Sequence, residues 1–97
     1  MNIGSKSGTR ILIPTPLRQF TNQNSELCVE GKTVGELLRN LAALNPALQR
    51  HMFSDDGKIR GFVNVYLNNE DIRFLQKENT PVSDTDTLSI IPSIAGG

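Results

Sequence analysis

One segment of this sequence carries the complete signature of an amphipathic helix. Thr33 and Glu36 have the spacing of a capping box, in which the threonine hydroxyl accepts from the Glu36 amide and the glutamate reaches back. Asn45-Pro46 ends the helix, because the residue before a proline avoids the helical conformation. The apolar residues recur at helical spacing and form one stripe: Val34, Leu37, Leu38, Leu41 and Leu44. Such a stripe must be buried against a second layer of structure.

Short segments with a period of two lie on both sides of this helix and predict that the second layer is a β-sheet. The first segment, residues 9–13, places Ile11 and Ile13 on one face and is ended by Pro14. The other predicted strands are residues 26–30, residues 62–67 at the centre of the sheet, residues 72–75 as a brief return strand, and residues 87–91. The order strand, strand, helix, strand, short strand, strand predicts an α+β fold of the β-grasp, ubiquitin-like type, with one main helix packed across a mixed sheet.

Polar residues and prolines separate these elements. Residues 19–25, 54–57 and 68–71 are predicted turns, and residues 76–86 a loop. Pro46 suits the first turn of a second, short helix, in which Leu48 and Met52 are the apolar positions. With 97 residues the chain has room for one domain. We expect a flexible lead-in at residues 1–8, the β-grasp domain at 9–91 and a flexible tail at 92–97.

Composition excludes several classes of protein. Lysine plus arginine and aspartate plus glutamate number 10 each, whereas a broad nucleic-acid surface needs a basic surplus. The single cysteine cannot form an internal disulfide. No apolar run reaches the roughly 18 residues of a membrane helix, and the first residues lack the apolar block of a signal peptide. We therefore expect a soluble, cytoplasmic protein without nucleic-acid or membrane partners.

Catalytic and metal-binding patterns are weak in this sequence. One cysteine, Cys28, and one histidine, His51, cannot assemble a His/Cys metal cluster, and a catalytic pair of the two is a remote alternative to packing and surface roles. The acidic pairs Asp55-Asp56 and Glu70-Asp71 suit polar turns better than acid–base catalysis. We predict that the chain is not an enzyme and has neither a catalytic residue nor a metal site.

The C-terminal residues are the strongest candidate for function. The last predicted strand leads almost directly into Gly96-Gly97, and Pro92 stiffens the exit. Residues 92–97 span about 20 Å when extended, which is enough to enter another protein's active site. Glycine has no side chain that could block a narrow channel. Two terminal glycines alone also fit an inert, frayed end, so the pattern leaves both interpretations open.

Two blocks of sequence favour the functional interpretation. Residues 60–74 contain Val-Asn-Val-Tyr followed by Glu-Asp-Ile-Arg-Phe, and residues 88–97 end in Pro-x-x-Ala-Gly-Gly. With the similar opening at residues 11–18, they make residues 9–97 resemble the ThiS/MoaD sulfur-carrier family, most of all its CysO-type branch of cysteine biosynthesis. Residues 1–8 are an extra stretch that leaves only the start of the first strand in doubt.

The resemblance implies a carrier role for the tail. Gly97 would be the covalent site, whose carboxylate is adenylated and then converted to a thiocarboxylate. Gly96 would give access, and Ala95, Ile94 and Ser93 would line the partner's channel. The implied partners are an E1-like ATP-dependent adenylating and sulfurylating enzyme, a PLP-dependent cysteine synthase and a metal-dependent peptidase that releases cysteine. These partners hold ATP, PLP and metal, so no cofactor is expected in this chain.

Three alternatives stay open at this stage. The sulfur acceptor could be a thiamin or molybdopterin precursor, because Gly-Gly serves all these pathways equally. The chain could be a ubiquitin-like modifier that is attached to other proteins. It could also be an interaction domain with an inert tail, in which case deletion of Gly96 and Gly97 would change nothing.

Overall fold

The structure, a computed structural model, describes residues 8–92. Five strands form one sheet in the order β2-β1-β5-β3-β4, in which β1 and β5 are parallel and the other neighbours antiparallel. The elements are β1 (Thr9–Leu12), β2 (Glu26–Val29), α1 (Val34–Leu44), α2 (Pro46–Met52), β3 (Val63–Leu67), β4 (Glu70–Asp71) and β5 (Thr87–Pro92), with 3-10 helices at Thr15–Phe20, Ile72–Phe74 and Lys77–Asn79. A mixed sheet crossed by one main helix is the predicted β-grasp arrangement, and the predicted fold class is confirmed.

Local sequence signals set the bounds of α1. The Glu36 amide donates to Thr33 Oγ1 at 3.2 Å, as the capping box predicts. The Glu36 carboxylate accepts from the backbone N–H of Lys32 at 2.9 Å, one residue before the cap. At the other end, Asn45 closes the helix, since its backbone N–H donates to Leu41 and Ala42. The helix therefore begins and ends where the sequence predicts.

The core lies between α1 and one face of the sheet. Each apolar side chain that leaves water there stabilises the fold by about 1.5–3 kcal/mol before the entropy cost is counted. The strand side chains on this inner face alternate with exposed or half-buried neighbours, as a half-buried sheet requires. The buried cluster comprises Ile11, Ile13, Leu17, Val29, Val34, Leu37, Leu38, Leu41, Ala42, Leu48, Met52, Phe53, Val63, Val65, Leu67, Ile72, Leu88 and Ile90.

Two predictions about position in the fold are wrong. Helical spacing puts Leu44 in the buried stripe, but its side chain is 70% exposed. It occupies the last position of α1, where α2 begins two residues later and the helix no longer covers the sheet. Residues 62–67 are predicted at the centre of the sheet, but β3 lies between β5 and the two-residue β4. The middle strand of the five is β5, which has two strands on each side.

Two local predictions also need correction. The return strand is predicted at residues 72–75, whereas the strand is Glu70–Asp71 and Ile72 enters a 3-10 helix. Asn68 and Asn69 both have positive φ, which is the tight hairpin geometry that lets the return strand begin at the next residue. Residues 19–25 are predicted as a turn; residues 21–23 form that turn, but residues 19 and 20 belong to a 3-10 helix that spans Thr15–Phe20. Its proline, Pro16, fits the first turn of a helix as well as the end of a strand.

The remaining elements agree with the sequence. α2 buries Leu48 and Met52 as predicted. The 54–57 turn closes through the Gly57 N–H, which donates to the carbonyl of Ser54 at 2.9 Å. The predicted boundaries differ by one residue: Gly8, assigned to the lead-in, is buried, and Pro92, assigned to the tail, is the last residue of β5. None of the helices in residues 8–92 is long and apolar enough to cross a membrane.

Candidate functional site

The strand that leads towards Gly96-Gly97 is the centre of the sheet. β5 pairs with β1 through residues 87–89 and with β3 as far as Val63 opposite Pro92. Pro92 is the last described residue, so the ladder to β3 continues to the limit of the described chain. Residues 93–97 therefore come directly after a strand that pairs with both β1 and β3 in its first half and with β3 alone over residues 90–92.

The site residues predicted from the sequence lie beyond this point. Gly97 is the predicted covalent site and Gly96 the residue predicted to give access. All five lie outside the described residues, and their roles stay predictions: Ser93, Ile94, Ala95, Gly96 and Gly97. The structure describes the surface from which they depart.

An apolar patch borders this point of departure on the sheet face that α1 leaves uncovered. Leu12 is 36% exposed and Ile91 is 49% exposed, and alternation from the buried Ile11 and Ile90 places both on the open face. Phe62, 46% exposed, immediately precedes the residue that pairs with Pro92. We call Leu12, Phe62 and Ile91 the exit patch. Large apolar side chains grouped beside a chain exit are typical of a protein contact surface.

Polar and charged side chains surround the exit patch on the open face. Across the register, Ser89 is paired with both Leu12 and Tyr66, so these three residues share this face. Arg10 and Glu26 form an ion pair at 3.7 Å, in which both side chains are largely exposed. Such an exposed pair contributes little to stability and leaves both charges available to a partner.

An aspartate–arginine pair caps the 3-10 helix that follows β4 at the edge of the sheet. The Arg73 guanidinium donates to both carboxylate oxygens of Asp71, at 2.6 Å and 3.1 Å, and the Arg73 backbone N–H donates to the same carboxylate at 2.9 Å. The hydrogen bonds from the Arg73 side chain and then its backbone hold the pKa of Asp71 below its ordinary value of 3.8. The same pair raises the pKa of Arg73.

A second clamp holds the start of β5, and the sequence analysis missed it. Asp86 accepts from the Asn68 side chain at 2.9 Å and from the Ser83 backbone N–H at 2.8 Å. Asn68 in turn accepts from the Thr87 backbone N–H at 3.0 Å. The hydrogen bond from Asn68, followed by that from Ser83, lowers the pKa of Asp86. Aspartate three residues after serine in a polar loop is a local signal that could have predicted part of this network.

The residues weighed for catalysis are not brought together. Cys28 lies half-buried on β2 opposite Arg10, and no hydrogen bond within residues 8–92 joins it to His51. The His51 ring stacks on Phe20, with 4.2 Å between the ring centroids. Within the same residues no three His, Cys, Asp or Glu side chains are grouped to hold a metal ion. Cys28 is therefore a half-buried strand residue and His51 part of an aromatic stack.

The two acidic pairs also have local roles. Asp56 belongs to the predicted turn, where its carboxylate accepts from the Ser54 hydroxyl and from the Lys58 backbone N–H. The hydrogen bond from Ser54 is the main cause of a lowered pKa for Asp56. Glu70 and Asp71, predicted as part of a turn, instead form β4. One carboxylate of each pair, that of Asp56 and that of Asp71, therefore accepts from a nearby backbone N–H.

Comparison with known proteins defines the class to which this fold and site belong. Residues 11–97 match the ThiS family, and the chain belongs to that family. Members of the ThiS/CysO group are small carrier proteins. The sulfur carrier protein CysO of Mycobacterium tuberculosis is 35% identical over 89 residues, which cover 90% of this chain and 96% of that protein. The predicted family resemblance and the predicted function class, a CysO-like sulfur carrier, are confirmed.

Solved structures agree with this assignment. The Amycolatopsis orientalis BexX/CysO complex contains a chain with a TM-score of 0.83 and 33% identity, a match that covers 93% of this chain and 100% of that one. The small archaeal modifier protein 1 of Methanosarcina acetivorans has a TM-score of 0.82 at 26% identity, and the match covers 97% of this chain and 100% of that chain. The β-grasp fold is thus shared with both carriers and modifiers.

Proposed function

We propose that this protein carries sulfur as a thiocarboxylate on Gly97 and donates it for cysteine biosynthesis. The observation that carries the proposal is the family match, which continues through residue 97 and so includes the two glycines. The similar proteins named sulfur carrier protein CysO support the same chemistry. The central position of β5 supports it further, because a rigid strand gives the residues after it a fixed origin.

The chemistry requires activation of the carboxylate by a partner. A free carboxylate resists nucleophiles because its charge is delocalised over two oxygens. An E1-like enzyme would join the Gly97 carboxylate to the AMP part of ATP and release pyrophosphate. Sulfide would then attack the acyl carbon and displace AMP, which leaves a thiocarboxylate on Gly97. One oxygen of the carboxylate departs with AMP, and one sulfur takes its place.

The residues before Gly97 would deliver this group to successive partners. Residues 92–97 can span about 20 Å when extended. Gly96 would pass a narrow channel because it has no side chain, while Ser93, Ile94 and Ala95 would line that channel. Recognition of a C-terminal carboxylate is an established mode of protein–peptide binding. In this proposal the domain supplies the docking surface and the tail supplies the reactive atom.

The exit patch would be the surface on which the E1-like enzyme docks. Its three apolar side chains, 36% to 49% exposed, lie beside the strand that leads to the tail. Covering them would remove apolar area from water at the place where the tail must enter an active site. The other proposed partners are a PLP-dependent cysteine synthase, which would take up the sulfur, and a metal-dependent peptidase, which would release the cysteine. The protein itself would act as their cosubstrate.

Intact-protein mass spectrometry tests the proposal. The full chain is incubated with an E1-like enzyme, ATP and sulfide, and the mass gain for replacement of one oxygen by sulfur is measured. We expect this gain in the full chain and none after deletion of Gly97. If no E1-like enzyme that loads CysO-type carriers changes the mass of the folded chain, the proposal is wrong.

A pair of glycine variants tests access to the carboxylate. Gly96→Trp should prevent loading, because the indole would obstruct the partner's channel. Gly61→Ala is the control, since a Cβ at Gly61 meets nothing within 4 Å and should leave loading unchanged. Normal loading of the Gly96→Trp variant would contradict the access role.

A second experiment separates the possible acceptors. The loaded protein is offered to a PLP-dependent cysteine synthase with an activated serine, and the mass of a cysteine joined to Gly97 is expected. Consumption of the thiocarboxylate only by thiazole- or molybdopterin-forming enzymes would assign the carrier to one of those pathways.

The modifier alternative has its own supporting observation. Small archaeal modifier protein 3 of Haloferax volcanii is 35% identical over 65 residues, which cover 67% of this chain and 70% of that protein. Attachment to lysine would form an isopeptide bond to Gly97, and trypsin would leave residues 78–97 on that lysine, because Lys77 is the last basic residue of the sequence. Detection of such remnants on other proteins in cells would favour a modifier role.

A further inference from the structure

A groove of about 890 Å³ runs along the edge of the sheet beyond β3. It lies between β3, residues 58–61 and the 3-10 helices that come after β4. The buried side chains of Val63, Val65 and Ile72 contribute its apolar lining. The groove lies mainly on the core side of the sheet, which Val63 and Val65 face, and it meets the exit patch at Asn64, which pairs with Ile91.

β4 pairs with only part of the sheet edge along this groove. β4 pairs only with Tyr66 and Leu67, so within residues 8–92 no strand lies beside Val63 on the side away from β5. Because main-chain groups alternate in an antiparallel ladder, those of Val63 and Val65 are directed to this side. Because the Val63 N–H donates to the Arg60 carbonyl at 3.0 Å, an incoming chain would instead bond to the Val63 carbonyl and the Val65 N–H. A sheet edge of this kind is a template for another extended segment.

The charged side chains that line the groove determine which kind of extended segment it can bind. Lys58, Arg60, Arg73 and Lys77 line the groove with two carboxylates, those of Asp71 and Glu78. Arg73 and Asp71 neutralise each other, so a cationic surplus remains in a protein of zero net charge. Lys58 and Lys77 are both exposed and are free to orient towards an incoming carboxylate. The groove is therefore complementary to acidic side chains at its rim and to apolar side chains along its lining.

We propose that the β3 edge binds an extended, acidic segment of a partner protein as an additional β-strand. The segment would place apolar side chains at alternate positions against the groove and acidic residues towards Lys58 and Lys77. An added strand would lie about 4.8 Å from β3 and about 10 Å from β5. The partner would thus be held beside the strand that leads to residue 93. The proposal does not depend on sulfur chemistry at Gly97.

NMR titration of the ¹⁵N-labelled full chain tests this site. The probe is a short acetylated peptide with valine at alternate positions, threonine between them and aspartates at both ends. We expect saturable shifts of the Val65 and Arg73 amide signals, and weaker binding of the same peptide with lysine in place of aspartate. Absence of saturable shifts, or shifts confined to β2 or the exit patch, would overturn the proposal.

Matched variants locate the binding surface. Lys58→Glu should weaken binding about two- to fivefold, the range expected for an exposed charge pair. Arg39→Glu makes the same change of charge on the exposed face of α1 and should leave affinity unchanged. Gly61→Trp should abolish binding, because the position has open space for a side chain that would occupy the groove. Equal weakening by Lys58→Glu and Arg39→Glu would show only non-specific attraction and refute the assigned site.

Two other occupants are distinguished by the same spectra. If deletion of residues 93–97 shifts the Val65 signal and raises peptide affinity, the chain's own tail occupies the groove. If the Val65 signal moves with protein concentration in the absence of peptide, a second copy occupies it. Either result would overturn the proposal of a partner segment, whereas unchanged signals in both controls support it.

Discussion

The two faces of the sheet differ although the same strands build them. On β5, the inward side chains of Leu88 and Ile90 are 0% and 2% exposed, while the outward Ile91 is 49% exposed. The inner face is closed by α1 and carries the apolar burial that holds the fold together. The open face carries apolar side chains that no described element covers. The difference teaches that one strand can contribute its inner face to the core and still present its outer face as a binding surface.

The largest effect is expected on the inner face. Leu88→Ala removes buried methyl groups from the central strand and should lower the free energy of unfolding by about 2–5 kcal/mol. Urea denaturation followed by circular dichroism measures the change. A loss below about 1 kcal/mol would mean that the inner face does not carry the stability assigned to it.

The cap of the covering helix should have the next largest effect. Thr33→Ala removes the hydroxyl that accepts from the Glu36 amide, and should cost about 1 kcal/mol of stability. The control is Thr15→Ala, at an exposed position in a 3-10 helix. Comparable losses for both threonines would show that the cap has no special role.

The Asp71–Arg73 pair should make the stability of the protein depend on pH in acid. The pKa of Asp71 is lowered in the native state, so its contribution to stability is complete above its ordinary value of 3.8 and is lost as the pH falls through the lowered native value. Arg73→Gln removes the main cause of that lowering. The melting temperature of the variant should therefore lie below that of the parent above pH 3.8, and the gap should close in more acidic buffer.

Differential scanning calorimetry from neutral to acidic pH measures this gap. Arg39→Gln, on the exposed side of α1, should give a gap that does not depend on pH in this range. A constant gap for Arg73→Gln would contradict the assigned role of the aspartate–arginine pair.

The smallest effect on stability is expected on the open face. Ile91→Thr keeps a β-branched side chain in a strand and should change the free energy of unfolding by no more than about 0.5 kcal/mol. The same variant should slow sulfur loading by an E1-like enzyme, if the exit patch is the docking surface. Large destabilisation together with normal loading would reverse the roles assigned to the two faces.

Local signals predict some parts of this structure well. The bounds of α1 depend on residues close together in sequence, Thr33 with Glu36 and Asn45 with Pro46. The cause of each helix end can therefore be read from the sequence. The return strand is misplaced by the same kind of signal, because the apolar residues Ile72 and Phe74 favour a strand assignment. Ile72 is buried from a 3-10 helix, whereas Phe74 is 79% exposed.

Other parts depend on contacts between distant residues. The central place of β5 results from the pairing of Arg10 with Thr87 and of Val65 with Ile90. The periodicity of a single segment cannot predict which strands pair. The groove beyond β3 exists because β4 stops after two residues, a consequence of three-dimensional packing. The candidate site at the C-terminus is predicted from terminal glycines and family resemblance. Its surroundings, including the exit patch and the Asn68–Asp86 clamp, could be identified only from the three-dimensional structure.

The position of β5 also bears on how the cell makes this protein. β5 is the last strand of the domain to leave the ribosome, yet β1 and β3 both need it as their neighbour. A chain that is cut or stalled before residue 87 leaves two strand edges unpaired and cannot complete its core. Such fragments are substrates for cellular proteases. Only chains synthesised through β5 can therefore complete the sheet.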